Sequence, residues 1–183
     1  MRRIAIVLLL SAAARPAGQA DKTIPTKSVG GGIGPGLQML GTDFRANPKW
    51  TKNENVKTTP SCGLTLKNQK KGGSIVSPVF ELNGVDQMGT TWRSDIPNDK
   101  VVIKLRTAKA KNDWGEWVTV NEQPKDNGKT IVGKNLEDIA GSKYIQYSIE
   151  LNAATESSGC FKAIYLFGTS KSLIDALKKK GGQ

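Results

Sequence analysis

Histidine is absent from all 183 residues, and cysteine occurs only twice. Without an imidazole, Ser-His-Asp and Cys-His hydrolases are excluded, as are the commonest zinc sites and the usual acid–base group near neutral pH. The enzyme chemistry that survives is narrow: a paired-carboxylate glycosidase, a Tyr/Lys lyase or a calcium-dependent site. Glu81, Asp86, Asp95, Asp99, Asp113, Glu116 and Glu150 stand in no spacing that marks a catalytic pair. The chain therefore reads as a non-enzyme.

Long apolar runs are also lacking. The one candidate, Ile4–Leu10, follows Arg2 and Arg3 and precedes the small residues Ser11–Ala14 and Gly18-Gln19-Ala20. That order is the pattern of a secretory signal over residues 1–20. Its apolar core is shorter than the about 20 residues a bilayer span requires. The expectation is an exported protein, periplasmic or extracellular, with no membrane span.

Acidic residues are few as well: 16 carboxylates face 27 lysines and arginines, a formal charge of +11. Without Arg2, Arg3 and Arg15 this becomes +8 (11 − 3). Such a balance suits an acidic polysaccharide, an anionic envelope polymer or nucleic acid, the last being the least expected of the three. The lysines are scattered through turns and the tail rather than gathered in one stripe, a pattern that favours plain solubility of an exported domain.

In an exported chain, a lone pair of cysteines most simply forms one disulfide, here Cys62–Cys160. It would close a long loop near both ends of the β-region and contribute roughly 3–5 kcal/mol. Residues 21–60 are rich in Gly, Pro, Lys, Thr and Asn and read as a flexible arm, with Leu37, Met39, Leu40, Phe44 and Trp50 available to dock. The glycines at 29–36 are not a phosphate loop, because no Gly-Lys-Ser/Thr follows them.

From Ser61 onward, short strand-like runs alternate with turn residues: Gly63–Lys67, Ile75–Leu82 (interrupted at Pro78), Thr90–Ser94, Lys100–Thr107, Trp117–Val120, Lys143–Leu151 and Cys160–Phe167. Period-two alternation turns Val101, Ile103 and Leu105 inward on one run. On another it turns Ile145, Tyr147, Ile149 and Leu151 inward, with Tyr144, Gln146, Ser148 and Glu150 outward. Ser170–Lys180 has helical spacing and lysines suited to a helix C-terminus. The fold expected is all-β: a single antiparallel β-sandwich over 61–168, jelly-roll-like, with a flexible N-terminal arm and a short basic C-terminal helix over 169–183.

Ser77-Pro78-Val79-Phe80, Trp92, the run VVIKLRT, Trp114-Gly115-Glu116-Trp117 and Lys143-Tyr144-Ile145-Gln146-Tyr147 together carry a resemblance. Over residues 61–168 the chain resembles the discoidin-like, galactose-binding-like jelly-roll modules of bacterial secreted proteins. The resemblance implies a carbohydrate-binding role exercised through loops, with a structural calcium ion in many such modules. Oxygen ligands for calcium could come from the Asp95–Asp99 turn or the Asp126-Asn127-Gly128 loop; no other cofactor is implied.

The candidate ligand-binding residues are Asn112, Asp113 and Trp114, with Arg93 and Arg106. Sugar rings stack on aromatic faces, while neighbouring amides and carboxylates bond the hydroxyls. Trp114, in a polar loop, can serve that purpose or simply plug the turn. The arginines can hold an acidic sugar or sulfate, or pair with Asp95 or Glu116. Trp92, Trp117, Tyr147 and Phe167 are expected in the core. A protein partner is the alternative to a glycan, and a small polysaccharide-acting enzyme is the third reading.

Overall fold

A computed structural model describes residues 32–34, 36–121, 125–126, 131–153 and 159–180. The expected signal segment, residues 21–31 and the Asn127-Gly128 turn lie outside the described residues. The strands are β1 Gly32–Gly34, β2 Leu37–Asp43, β3 Lys52–Glu54, β4 Val56–Thr59, β5 Gly63–Leu66, β6 Gly73–Val76 and β7 Phe80–Glu81. They continue with β8 Gln87–Ser94, β9 Val101–Ala108, β10 Val118–Thr119, β11 Lys125–Asp126, β12 Ile131–Val132, β13 Tyr144–Leu151 and β14 Phe161–Thr169, before helix α1, Lys171–Lys180.

Two antiparallel sheets form an all-β sandwich. The first runs β1-β2-β14-β8-β12-β11, with β5 joining at β14 and β4 pairing with β5; the second runs β10-β9-β13-β6-β3, with β7 on β13. Alternating side chains from the inner faces interdigitate, as sandwich packing requires. Trp92, Ile164 and Leu166 from the first sheet enter the same buried cluster as Ile103, Leu105, Ile145, Tyr147 and Ile149 from the second. Phe80 stacks on Tyr147 with ring centroids 6.0 Å apart. The Tyr147 hydroxyl bonds Thr42 Oγ1 at 2.7 Å, tying the two sheets together. Burial pushes that phenol well above its ordinary range.

The run around Pro78 breaks as its sequence requires. β6 ends at Val76, and Ser77–Val79 leave the ladder before β7 resumes. Ser77 stays buried; its N–H donates to the Tyr147 carbonyl at 2.9 Å, and its hydroxyl accepts the Tyr147 N–H at 3.0 Å.

Three expectations are corrected. Residues 37–59 are not a loose arm: β2 pairs along its whole length with β14, and Leu40, Phe44 and Val56 are buried in the core. Phe167 is half-buried on the outer face of the first sheet with Tyr165, because Ile164, Leu166 and Gly168 take the inward positions of β14. Trp117 also stays out of the core cluster.

The disulfide is present, joining Cys62 and Cys160 with their Cα atoms 5.1 Å apart. Helix α1 forms where its spacing places it. Ser170 Oγ accepts the Leu173 N–H at 3.3 Å, and Asp86 Oδ2 accepts that of Lys171 at 2.6 Å, so two of the free N–H groups of the first turn are satisfied. Among the described residues, no helix is long and apolar enough to cross a membrane.

Candidate functional site

The loop joining β9 to β10 folds back on β9 rather than projecting from it. An Ala-Lys-Asn-Asp turn closes through the Asp113 N–H to the Ala110 carbonyl at 3.1 Å, in keeping with the turn preference of Asn and Asp. The Gly115 N–H then reaches the Thr107 carbonyl at 2.9 Å, and Trp114 forms a bridge opposite the small Ala108. Val118 pairs with Leu105, which brings Trp117 alongside Arg106.

Arg106 is the centre of the arrangement. Its guanidinium carbon lies 4.6 Å from the Trp114 ring centroid and 4.4 Å from that of Trp117. Each such contact contributes about 0.5–1 kcal/mol at a partly exposed site. Its Nε and Nη2 both donate to Gln146 Oε1, at 3.2 and 2.7 Å. Gln146 is only 2% exposed, and its own Nε2 donates to the Ser77 carbonyl at 2.9 Å. The chain of contacts runs from the core strand β13 through a locked amide to a cation laid on two indole rings. Partial desolvation lowers the Arg106 pKa, yet a guanidinium remains charged throughout the physiological range.

Around this core, Trp114 and Trp117 are half-buried, while Asn112, Asp113 and Glu116 are exposed. The surface thus offers aromatic edges flanked by an amide and two carboxylates. These groups can stack on a sugar ring and bond its hydroxyls. Val118, 37% exposed, extends the apolar part along the short edge strand β10.

Four of the five expected ligand residues come together here: Arg106, Asn112, Asp113 and Trp114. Arg93 does not join them. It is exposed on β8 of the other sheet, where Ala163 separates it from Asp43. There the Arg45 hydrogen bonds, with a smaller contribution from the Arg93 charge, lower the Asp43 pKa. Nor do the arginines take the expected acidic partners. Asp95 pairs with Lys162 at 2.7 Å, and Arg106 takes Gln146 instead of Glu116.

Gln146 and Trp117 complete the site, and neither was expected to act there. The signal for Gln146 lies in register, since Gln146 faces Arg106 across the β9–β13 ladder; a single strand read alone shows only an outward amide. Among the described residues, no group of three or more Cys, Asp or Glu side chains is gathered as a metal site would require. No family model and no curated protein matches the sequence.

Proposed function

We propose that this chain is an exported, non-catalytic β-sandwich that binds carbohydrate or a cell-envelope polymer on the outer face of its second sheet. The observation that carries the reading is the Trp114–Arg106–Trp117 stack, backed by buried Gln146. Rigid, half-exposed aromatic rings beside exposed amide and carboxylate groups suit recognition of a polyhydroxylated ring. Pre-positioning of these groups by Gln146 lowers the ordering cost of binding. The disulfide supports an oxidising compartment and hence export.

Trp114→Ala is expected to weaken retention on a glycan array by about tenfold or more, the effect of losing an aromatic anchor. Its melting temperature should fall by no more than about 4 °C, since the side chain lies outside the core. Unchanged retention, or no glycan retained by the parent protein, would overturn the reading. A protein-interaction module is then the better account, favoured by the exposed Val118 on edge strand β10.

A further inference from the structure

Resting on the glycan reading, we infer that the ligand carries a carboxylate, as a uronic-acid polysaccharide does, and that the free end of the Arg106 guanidinium is its receptor. The Nε and Nη2 donors facing Gln146 are occupied. Among the described residues, Nη1 and the second Nη2 hydrogen have no acceptor, and this end-on pair matches the two oxygens of a carboxylate. The side chain cannot swing freely, because two indole rings and a buried amide hold it.

Charge supports the same ligand class. Among the described residues, no carboxylate pairs with Arg106, whereas Lys104 on the same strand is already bound to Glu150 at 2.7 Å. From Arg106 to Trp117, three cations (Arg106, Lys109 and Lys111) face two carboxylates (Asp113 and Glu116), leaving one positive charge. A partly desolvated, fixed cation with no counter-ion among the described residues favours an anion over a neutral sugar. The planar fork further favours carboxylate over a diffuse polyanion field.

The test compares polygalacturonate and alginate with their methyl-esterified forms, which keep the backbone and lose the charge. Parent protein should bind at least one acid form about tenfold or more tightly than its ester, the size of a charge-assisted hydrogen-bonded contact. Arg106→Gln should abolish that preference. Arg106→Lys should weaken it nearly as far, since a lysine keeps the charge but loses the planar fork. Lys57→Gln is the charge-matched control, an exposed position on β4 of the other sheet; its binding should stay within about twofold, as expected for a remote exposed charge.

Equal losses in Arg106→Gln and Lys57→Gln would mean attraction by bulk charge and would overturn the inference. Equal binding of acid and ester, both lost in Trp114→Ala, would overturn the carboxylate while leaving the glycan reading intact. Preference for a sulfated polysaccharide over both uronates would likewise replace the carboxylate. No retention on the uronate pairs removes this inference alone; no retention across a broad glycan panel removes the reading beneath it. Near-ultraviolet circular dichroism of each variant confirms that the tryptophan environment is intact, so that lost binding is not lost folding.

Discussion

Replacing both cysteines, Cys62→Ala with Cys160→Ala, is expected to destabilise the fold by about 4 kcal/mol. The bridge spans 98 residues of sequence. Closing a loop of that length removes roughly 4–5 kcal/mol of unfolded-state entropy, and measured losses for native bridges run about 2–5 kcal/mol. Cys62 sits in the turn between β4 and β5, while Cys160 immediately precedes β14. The bridge therefore reinforces the Leu64–Phe161 pairing, the point at which β5 joins β14. For a chain of this size the expected fall in melting temperature is about 8–16 °C. Chemical denaturation with and without reductant gives the same quantity for the unmutated chain. A midpoint that does not move under reductant would contradict this account of the bridge.

The second large effect belongs to Trp92. Its side chain is fully buried on β8, between Ile164 and Ile131 of the neighbouring strands. The ring packs so closely on Gly133 that a Cβ there would stand 2.9 Å from it and 2.7 Å from the Val120 carbonyl. Trp92→Ala should cost about 3–5 kcal/mol, the combined loss of apolar burial and the cavity left behind. Trp92→Phe should cost distinctly less, because the indole Nε1 has no hydrogen-bond partner among the described residues. Removing an unsatisfied buried donor offsets part of the lost volume. Equilibrium unfolding of the two variants measures both values. A Trp92→Ala loss below about 1 kcal/mol would show that the ring is not a packing centre.

The same residues show how far the sequence could be read. β13 and β9 were legible because inward apolar residues recur at every second position, Ile145 to Leu151 in one and Val101 to Leu105 in the other, and those inner faces are buried as that pattern requires. The break at Pro78 was legible from its missing N–H. β2 was not. Its inward face carries Gln38 and Thr42 as well as Leu40, so the run looks polar. Those polar groups are satisfied by partners 43 to 105 residues away: the Glu81 carbonyl, the Asn83 N–H and the Tyr147 hydroxyl. A local window contains none of them.

The site was legible in its loop and obscure in its support. Asn112, Asp113 and Trp114 stand together in sequence, so their grouping follows from chain connectivity alone. Arg93 and Arg106 looked equivalent, yet the turn between β8 and β9 carries the chain from one sheet to the other. That crossing separates the two arginines. Trp117 read as a core residue because aromatic rings dominate sandwich interiors. A position beside Arg106 on an edge hairpin gave its ring a cation to cover instead.

If the Trp114–Arg106–Trp117 surface meets the ligand as proposed, its indole rings report the contact directly. The chain has four tryptophans, and each indole N–H is a separate probe. Titrating a retained glycan into nitrogen-15-labelled protein should shift the indole resonances of Trp114 and Trp117. Those of buried Trp92 and of Trp50, stacked on Phe44 at 5.4 Å, should stay fixed. Shifts confined to Trp50 or Trp92, with Trp114 and Trp117 unmoved at saturation, would contradict the account.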